Sequence, residues 1–226
     1  MEIKINYLIE GAKQAKGLVV LIDVFRAFST AAYVLANGAK KIITIGDLDY
    51  ALKLKKENPD FILMGERNYL PLEGFDYGNS PFRISKIDFT GKTIIMTTSS
   101  GTQGIVNATL AEERLIGSFV NASATMNYIK EKNPSVVTFV ALGAGGITRR
   151  DEDDLFAEYC KALLENKPAN FLKIKEHLRT YKSALKFFNK AKFDSEDFEF
   201  CLDLDKFDFV MKIIKTDFGP AIVKHE

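Results

Sequence analysis

Residues 19–30, VVLIDVFRAFST, decide how the rest of the chain is read. The stretch begins as an apolar run suited to a buried strand, and the run closes on Asp23. Good helix formers follow in AFSTAAYVLANG and stop at Asn37-Gly38, a natural C-terminal cap. A core strand passing straight into a helix is half of a βα unit. Asp23, Arg26, Ser29 and Thr30 therefore stand where that strand ends, and a carboxylate and a guanidinium at such a place need partners.

The same alternation continues downstream. Apolar runs at 18–22, 41–45, 61–64, 93–97, 113–117 and 136–141 predict strands. Between them, DLDYALKLKKEN has Asp47 as N-cap and ends before Pro59, and NASATMNYIKEKN has Asn121 as N-cap and ends before Pro134. This order argues for an α/β protein, expected to form one domain over residues 1–226. Residues 65–90, including GERNYLPLEGFDYGNSPFRIS, form a long irregular segment of the kind often used for function. Residues 170–193 read as one or two amphipathic helices. The stretch DSEDFEFCLDLDKFDFVMKII is expected to continue helically, with Asp194 or Ser195 as cap. The phenylalanines there read as packing anchors, and whether this quarter covers the sheet or forms a lid stays open.

Composition narrows the function. The 226 residues carry 31 basic and 30 acidic side chains, a net charge of +1 that offers no global field for nucleic acid or an anionic membrane. No run reaches the ~18 apolar residues of a membrane span, and no signal peptide opens the chain, so a cytoplasmic protein is expected. Cys160 and Cys201 make neither a CxxC pair nor a zinc spacing and read as buried thiols. His177 and His225 lie outside any motif and read as surface residues. The chemistry is left to oxygen ligands, carboxylates and arginines.

In open α/β folds, groups at the carboxyl ends of strands converge on one crevice. Here those places carry Asp23, then Gly65-Glu66-Arg67-Asn68, then residues 98–102, then 118–123, then 143–154. TTSSGTQG has the shape of an anion cradle, with Gly101 allowing close approach, but it is not a Walker A loop, and ordinary N-capping explains such a cluster about as well. LGAGGITRRDEDD contains no GxGxxG. The acids 151–154 suit the start of a helix. Glu152 and Asp153 point about 100° apart there, so one could ligate an ion directly and the other through water, as magnesium allows. Asp23 is either an N-cap or a ligand. With Arg26 and Arg67 as anion clamps, these acids fit a phosphorylated substrate handled with a divalent cation.

The runs IDVFRAFST, LANGA, GERN, EGFDYGNSP, GKTIIMTTSSGT and GSFVNASA, with the later EDDLFAE, resemble in the same order the 2-phosphosulfolactate phosphatases. The likeness is strong over residues 18–165 and fainter beyond. It implies a three-layer α/β sandwich with a mixed, mostly parallel sheet and helices on both faces. It also implies magnesium-dependent hydrolysis of (2R)-phospho-3-sulfolactate, a step of coenzyme M biosynthesis in methanogenic archaea. On that resemblance Asp23, Arg26, Glu66 and Asp153 are the expected catalytic set, with Asp23, Glu66 and Glu152 or Asp153 holding Mg2+. Arg67, Asn79, Ser100, Gly101, Thr102, Asn121 and Ser123 are the expected substrate contacts. The expected partner is a small phosphorylated or sulfonated acid, and a homodimer is one assembly the sequence allows. Three features depart from the family. Ser99 and Ser100 stand where threonine and asparagine are usual, Phe156 and Glu158 replace smaller residues, and Arg149-Arg150 occupy a variant loop. A phosphatase for another 2-hydroxy acid phosphate, and a non-catalytic binder of such acids, are the alternatives.

Overall fold

The computed structural model describes residues 1–68, 70, 72–188 and 194–226. Tyr69 and Pro71 of the expected irregular segment, and positions 189–193 at the end of the expected C-terminal helices, lie outside the described residues. The chain begins with β1 (Glu2–Tyr7), α1 (Leu8–Gln14), β2 (Gly17–Ile22), α2 (Ala27–Ala36), β3 (Lys41–Thr44), α3 (Leu48–Glu57) and β4 (Ile62–Gly65). It continues with α4 (Pro81–Ile84), β5 (Thr93–Thr97), α5 (Gly101–Asn107), β6 (Ala111–Gly117), α6 (Ala122–Lys132), β7 (Val136–Ala141) and α7 (Asp151–Leu164). The last part holds α8 (Phe171–Thr180), α9 (Lys182–Phe188), α10 (Glu196–Cys201), β8 (Val210–Thr216) and β9 (Gly219–His225). The six strands expected from apolar runs are β2 to β7.

All of these strands join one sheet in the order β1-β7-β2-β6-β8-β9-β3-β5-β4. Pairing is parallel within β1-β7-β2-β6 and within β3-β5-β4, and antiparallel at β6-β8, β8-β9 and β9-β3. Three successive antiparallel pairings leave the two parallel blocks running in opposite senses. The sheet is thus mixed and mostly parallel, but it is not the single parallel array whose strand ends all face one crevice.

Two buried faces explain the continuous apolar runs. On β2, Val19 and Leu21 point into one core while Leu18, Val20 and Ile22 point into another. The first core surrounds α2, which is buried from Ala27 to Leu35, and gathers Val19, Ile116 and Val140 from one block with Ile42, Met64 and Met96 from the other. The sheet therefore folds round α2. The second core covers the opposite face of the β2 block with α6, α7 and the C-terminal helices, through Met126, Phe156, Phe187 and Phe198. A smaller core seats α3 on the β3-β5-β4 block. Helices on both faces make the three layers of an α/β sandwich. Among the described residues no helix is long and apolar enough to cross a membrane.

The helical expectation for residues 194–214 is corrected. The helix α10 ends at Cys201, and residues 210–216 form β8. This strand carries Val210 and Met211 buried, pairs antiparallel with β6, and turns into β9 through a hairpin closed by Thr216 Oγ1 to Gly219 O at 2.7 Å. Its β-branched residues favour that extended, paired state. The open question about the C-terminal quarter is answered by packing. Phe187 and Phe198 meet Phe25 at centroid distances of 5.0 and 5.8 Å, so α9 and α10 sit against the end of β2.

Candidate active site

A narrow cleft with room for little more than water opens where β2, β4, β5 and β7 end. Four carboxylates line it, those of Asp23, Glu66, Glu152 and Asp153, together with three cations, Arg26, Arg150 and Lys186. Asn79, Ser99, Ser100 and the Gly143–Gly145 backbone complete the polar wall.

Asp23 is bonded to the start of α2 and also lines the cleft. Its Oδ1 accepts from Ala27 N at 3.3 Å. Burial, the neighbouring Glu66 and, less strongly, Glu152 push its pKa up to about 7. Asp153 is a staple between strand ends. Oδ1 accepts from Val24 N and Oδ2 from Gly143 N, both at 2.8 Å, which ties the end of β2 to the turn after β7. Burial and the charges of Asp23 and Glu152 raise its pKa well above the usual carboxylate range, against the pull of those two N–H groups. Glu152, only 3% exposed, completes the acidic wall at the start of α7.

Glu66 enters from the end of β4. Its Oε1 accepts from Ser99 N at 2.7 Å and its Oε2 from Ser99 Oγ at 3.2 Å, while Ser99 Oγ also accepts from Asn68 N at 3.0 Å. Ser99 thus keeps a hydroxyl in the role that positions the acid. Ser100 donates to Gly143 O at 2.7 Å and joins the β5 turn to the β7 turn. Gly101 lies beneath Asp23: a Cβ there would sit 3.1 Å from Asp23 Oδ2 and 2.9 Å from Phe28.

The cations came partly from places that the sequence did not mark. Arg26 faces the cleft and donates through Nη1 to buried Asp197 Oδ2 at 2.6 Å. Arg150, from the variant loop, lines the cleft, whereas Arg149 stacks 3.7 Å from the Tyr7 ring and pairs with Asp154 at 2.8 Å. Lys186 reaches in from α9, and its pKa is lowered by burial while Glu152 and Asp23 support its charge. Neither Lys186 nor Asp197 had a local signal, because neither stands next to a strand end or inside a motif that marks it.

Several expected contacts have other partners. Arg67 donates to Glu66 O at 2.9 Å and Gly46 O at 3.2 Å, and also to Thr97 Oγ1, so its guanidinium clamps strand ends. Thr102 N–H donates to Thr98 Oγ1 at 3.1 Å, which occupies one donor of the expected cradle. Asn121 Oδ1 accepts from Ser118 N at 3.1 Å in a capping box. Ser123 is held by Asp205 through N at 2.6 Å and Oγ at 2.7 Å. None of Arg67, Thr102, Asn121 and Ser123 is among the described residues that line the cleft. Asn79 is: it is 7% exposed, and its Oδ1 has no hydrogen-bond partner among the described residues. Of the unusual family positions, Phe156 is buried against Phe119 at 4.9 Å, and Glu158 is exposed.

The donor set suits a hard cation by chemistry more than by a finished cage. Among the described residues no three acids, histidines or cysteines are grouped as a ready-made metal centre. Asp23, Glu66, Glu152 and Asp153 nevertheless share one cleft, where burial and neighbouring carboxylates raise the pKa of both Asp23 and Asp153. A divalent ion that takes one or two carboxylates and keeps its waters would relieve that crowding. The residues fit such an ion.

Fold and cleft together define a three-layer α/β protein whose strand ends oppose paired acids to cations. Its relatives share a narrower identity. The model of the 2-phosphosulpholactate phosphatase family matches residues 4–216. A probable 2-phosphosulfolactate phosphatase of Bacillus subtilis (strain 168) is 34% identical over 189 residues, 80% of either chain. That of Caldanaerobacter subterraneus subsp. tengcongensis is 35% identical over 210 residues, 83% of this chain and 84% of the relative. That of Clostridium tetani is 33% identical over 194 residues, with 83% and 82% covered. The chain belongs to the 2-phosphosulfolactate phosphatase family, which is one of phosphoric monoester hydrolases.

Proposed function

We propose that the chain hydrolyses (2R)-phospho-3-sulfolactate to 3-sulfolactate and phosphate in the presence of magnesium. The observation that carries this reading is the meeting of four carboxylates with Arg26, Arg150 and Lys186 in one cleft. When bound, magnesium would neutralise charge on the phosphoryl oxygens and acidify a water. Asp23, Glu66 and Glu152 or Asp153 are the side chains that would hold it. Arg26 would bind the phosphoryl group beside the Ser100–Gly101 backbone. Arg150 and Lys186, in place of Arg67, Asn121 and Ser123, would take the carboxylate and sulfonate. The buried Asn79 Oδ1 offers an acceptor to a water or hydroxyl. Water attacks phosphorus, the bond to the substrate's C2 oxygen breaks, and that oxygen leaves as the alcohol of sulfolactate.

Transfer to Asp23 itself would give an acyl phosphate, but Asp23 is followed by Val24-Phe25 and not by the DxDxT pattern of aspartyl phosphatases. Acid-quenched protein is expected to carry no phosphate. Phosphate release should require magnesium and stop with chelator; wild-type protein that releases none at saturating magnesium sinks the hydrolase reading. Phospholactate, which lacks the sulfonate, should be turned over with kcat/KM lower by about 10^2-fold or more, because it leaves buried donors unpaired.

Lys186 gives a second expected result. Lys186→Met should raise KM for 2-phosphosulfolactate about tenfold with little change in kcat, the mark of lost uniform binding. A simple phosphomonoester without an acidic tail should be affected less than twofold. Equal losses on both substrates would place Lys186 at the phosphoryl group instead.

A further inference from the structure

Arg26 shares its cleft with Asp23 and Glu152, either of which would attract a loosely held guanidinium. The structure gives it another carboxylate. Asp197 Oδ2 accepts from Arg26 Nη1 at 2.6 Å, across 171 residues of sequence, and Asp197 is fully buried.

The second oxygen of Asp197 is equally committed. Oδ1 accepts from Ser80 Oγ at 2.7 Å and from Phe82 N at 3.0 Å. One buried side chain of α10 thereby joins the arginine after β2 to the loop that carries Asn79. Asp194, in the approach to α10, adds a second tether, to α4 just after that loop, by accepting from Arg83 Nε at 2.6 Å. A salt bridge present only for stability would not need to be buried at the back of a cleft on a residue that lines it. Burying the pair costs desolvation that a hydrophobic contact would avoid.

We propose that Asp197 is a positioning residue: it aims the Arg26 guanidinium into the cleft and locks the Asn79 loop beside it, so that anion affinity depends on a carboxylate that does not touch the anion. The proposal rests on the reading of Arg26 as the phosphoryl-binding group. Asp197→Asn keeps an acceptor for Ser80 and Phe82 and removes the charge opposite Arg26.

The test is a double-mutant cycle over wild type, Arg26→Gln, Asp197→Asn and the double variant. Two readouts are taken with magnesium present: kcat/KM on 2-phosphosulfolactate and the dissociation constant of inorganic phosphate by calorimetry. Each single change is expected to weaken both readouts at least about tenfold, with the double variant no worse than Arg26→Gln alone. Losses that multiply, or an Asp197→Asn protein within twofold of wild type, overturn the proposal. So does wild-type protein that binds no phosphate. If Asp197→Asn does not fold, Ser80→Ala loosens Asp197 without altering its charge. It should then weaken phosphate binding severalfold in a folded protein, and unchanged affinity would count against the positioning role. Absence of turnover in all four proteins would defeat the hydrolase reading alone, since the phosphate affinities still score Asp197.

Discussion

Asp23→Asn is expected to cut turnover by about 10^2–10^3-fold while making the metal-free protein more stable. On the activity side, the substitution removes the carboxylate at the centre of the acidic wall. Loss of one preorganised electrostatic group of this kind costs about 10^2–10^3-fold in kcat. On the stability side, Asp23 is 7% exposed and its pKa is raised from 3.8 to about 7 by burial, Glu66 and Glu152. The sign follows from linkage. Below about pH 4 the group is protonated in both folded and unfolded chains, and no penalty exists. As pH rises from there to about 7, the unfolded chain ionises while the folded cleft resists, so wild-type stability falls; above about 7 the penalty is complete. Asparagine keeps an acceptor for Ala27 N and escapes that penalty, worth on the order of 1–4 kcal/mol.

In a chain of this length the gain at pH 8 corresponds to roughly 3–10 °C in thermal midpoint, and it should vanish near pH 4. Magnesium should raise the wild-type midpoint and leave Asp23→Asn nearly unmoved. Calorimetric melts at pH 4 and 8, with and without the ion, measure all of this. A variant that loses turnover but still binds sulfolactate supports catalysis over simple binding. A variant less stable than wild type at pH 8 would mean that Asp23 is a structural cap and not a crowded ligand.

What the sequence made legible was whatever had a local cause. The strand β2 could be read because a strand buried on both faces is apolar at every position, and Asp23 stood out because it ends such a run. Glu66, Ser100, Glu152 and Asp153 were legible for the same reason, as polar groups next to strand ends or a helix start. Arg67 is not among the described residues that line the cleft although it follows Glu66, because neighbouring residues leave an extended chain on opposite sides. The strand β1 had a usable signal, since Ile3, Ile5 and Tyr7 alternate with Lys4 and Asn6. The hairpin β8–β9 was harder. Its pairings are with β6 and β3, far away in sequence, and its approach is rich in Phe and Asp, which gave a helical impression. That hairpin also reverses one parallel block against the other, so the convergence of strand ends was reached by a sheet folding round α2. Asp197 is buried where its acidic neighbour Glu196 is exposed, and burial there is set by tertiary packing.

Gly65→Ala should be the most damaging small substitution in the chain. Gly65 ends β4 opposite Thr97 of β5, with φ at 140°, a region essentially reserved for glycine. A Cβ built there would lie 1.9 Å from Thr97 O and 2.9 Å from Thr97 C, and both are backbone atoms that no rotamer change can move. The same Thr97 O accepts from Glu66 N at 3.1 Å, so relief of the clash must part β4 from β5 at the residue that carries the cleft acid. Conformational strain alone costs about 1–3 kcal/mol, and with the displaced strand the total should reach at least about 3 kcal/mol. In the fraction that folds, kcat/KM should also fall, because Glu66 can no longer meet both Ser99 donors. Gly74→Ala is the matched control. Its φ is 78° but nothing lies within 4 Å of the added carbon, so it should cost only about 1–2 kcal/mol and spare activity. Urea unfolding of both variants separates backbone strain from collision, and a Gly65→Ala protein no less stable than Gly74→Ala would show that the two strands can part there without loss.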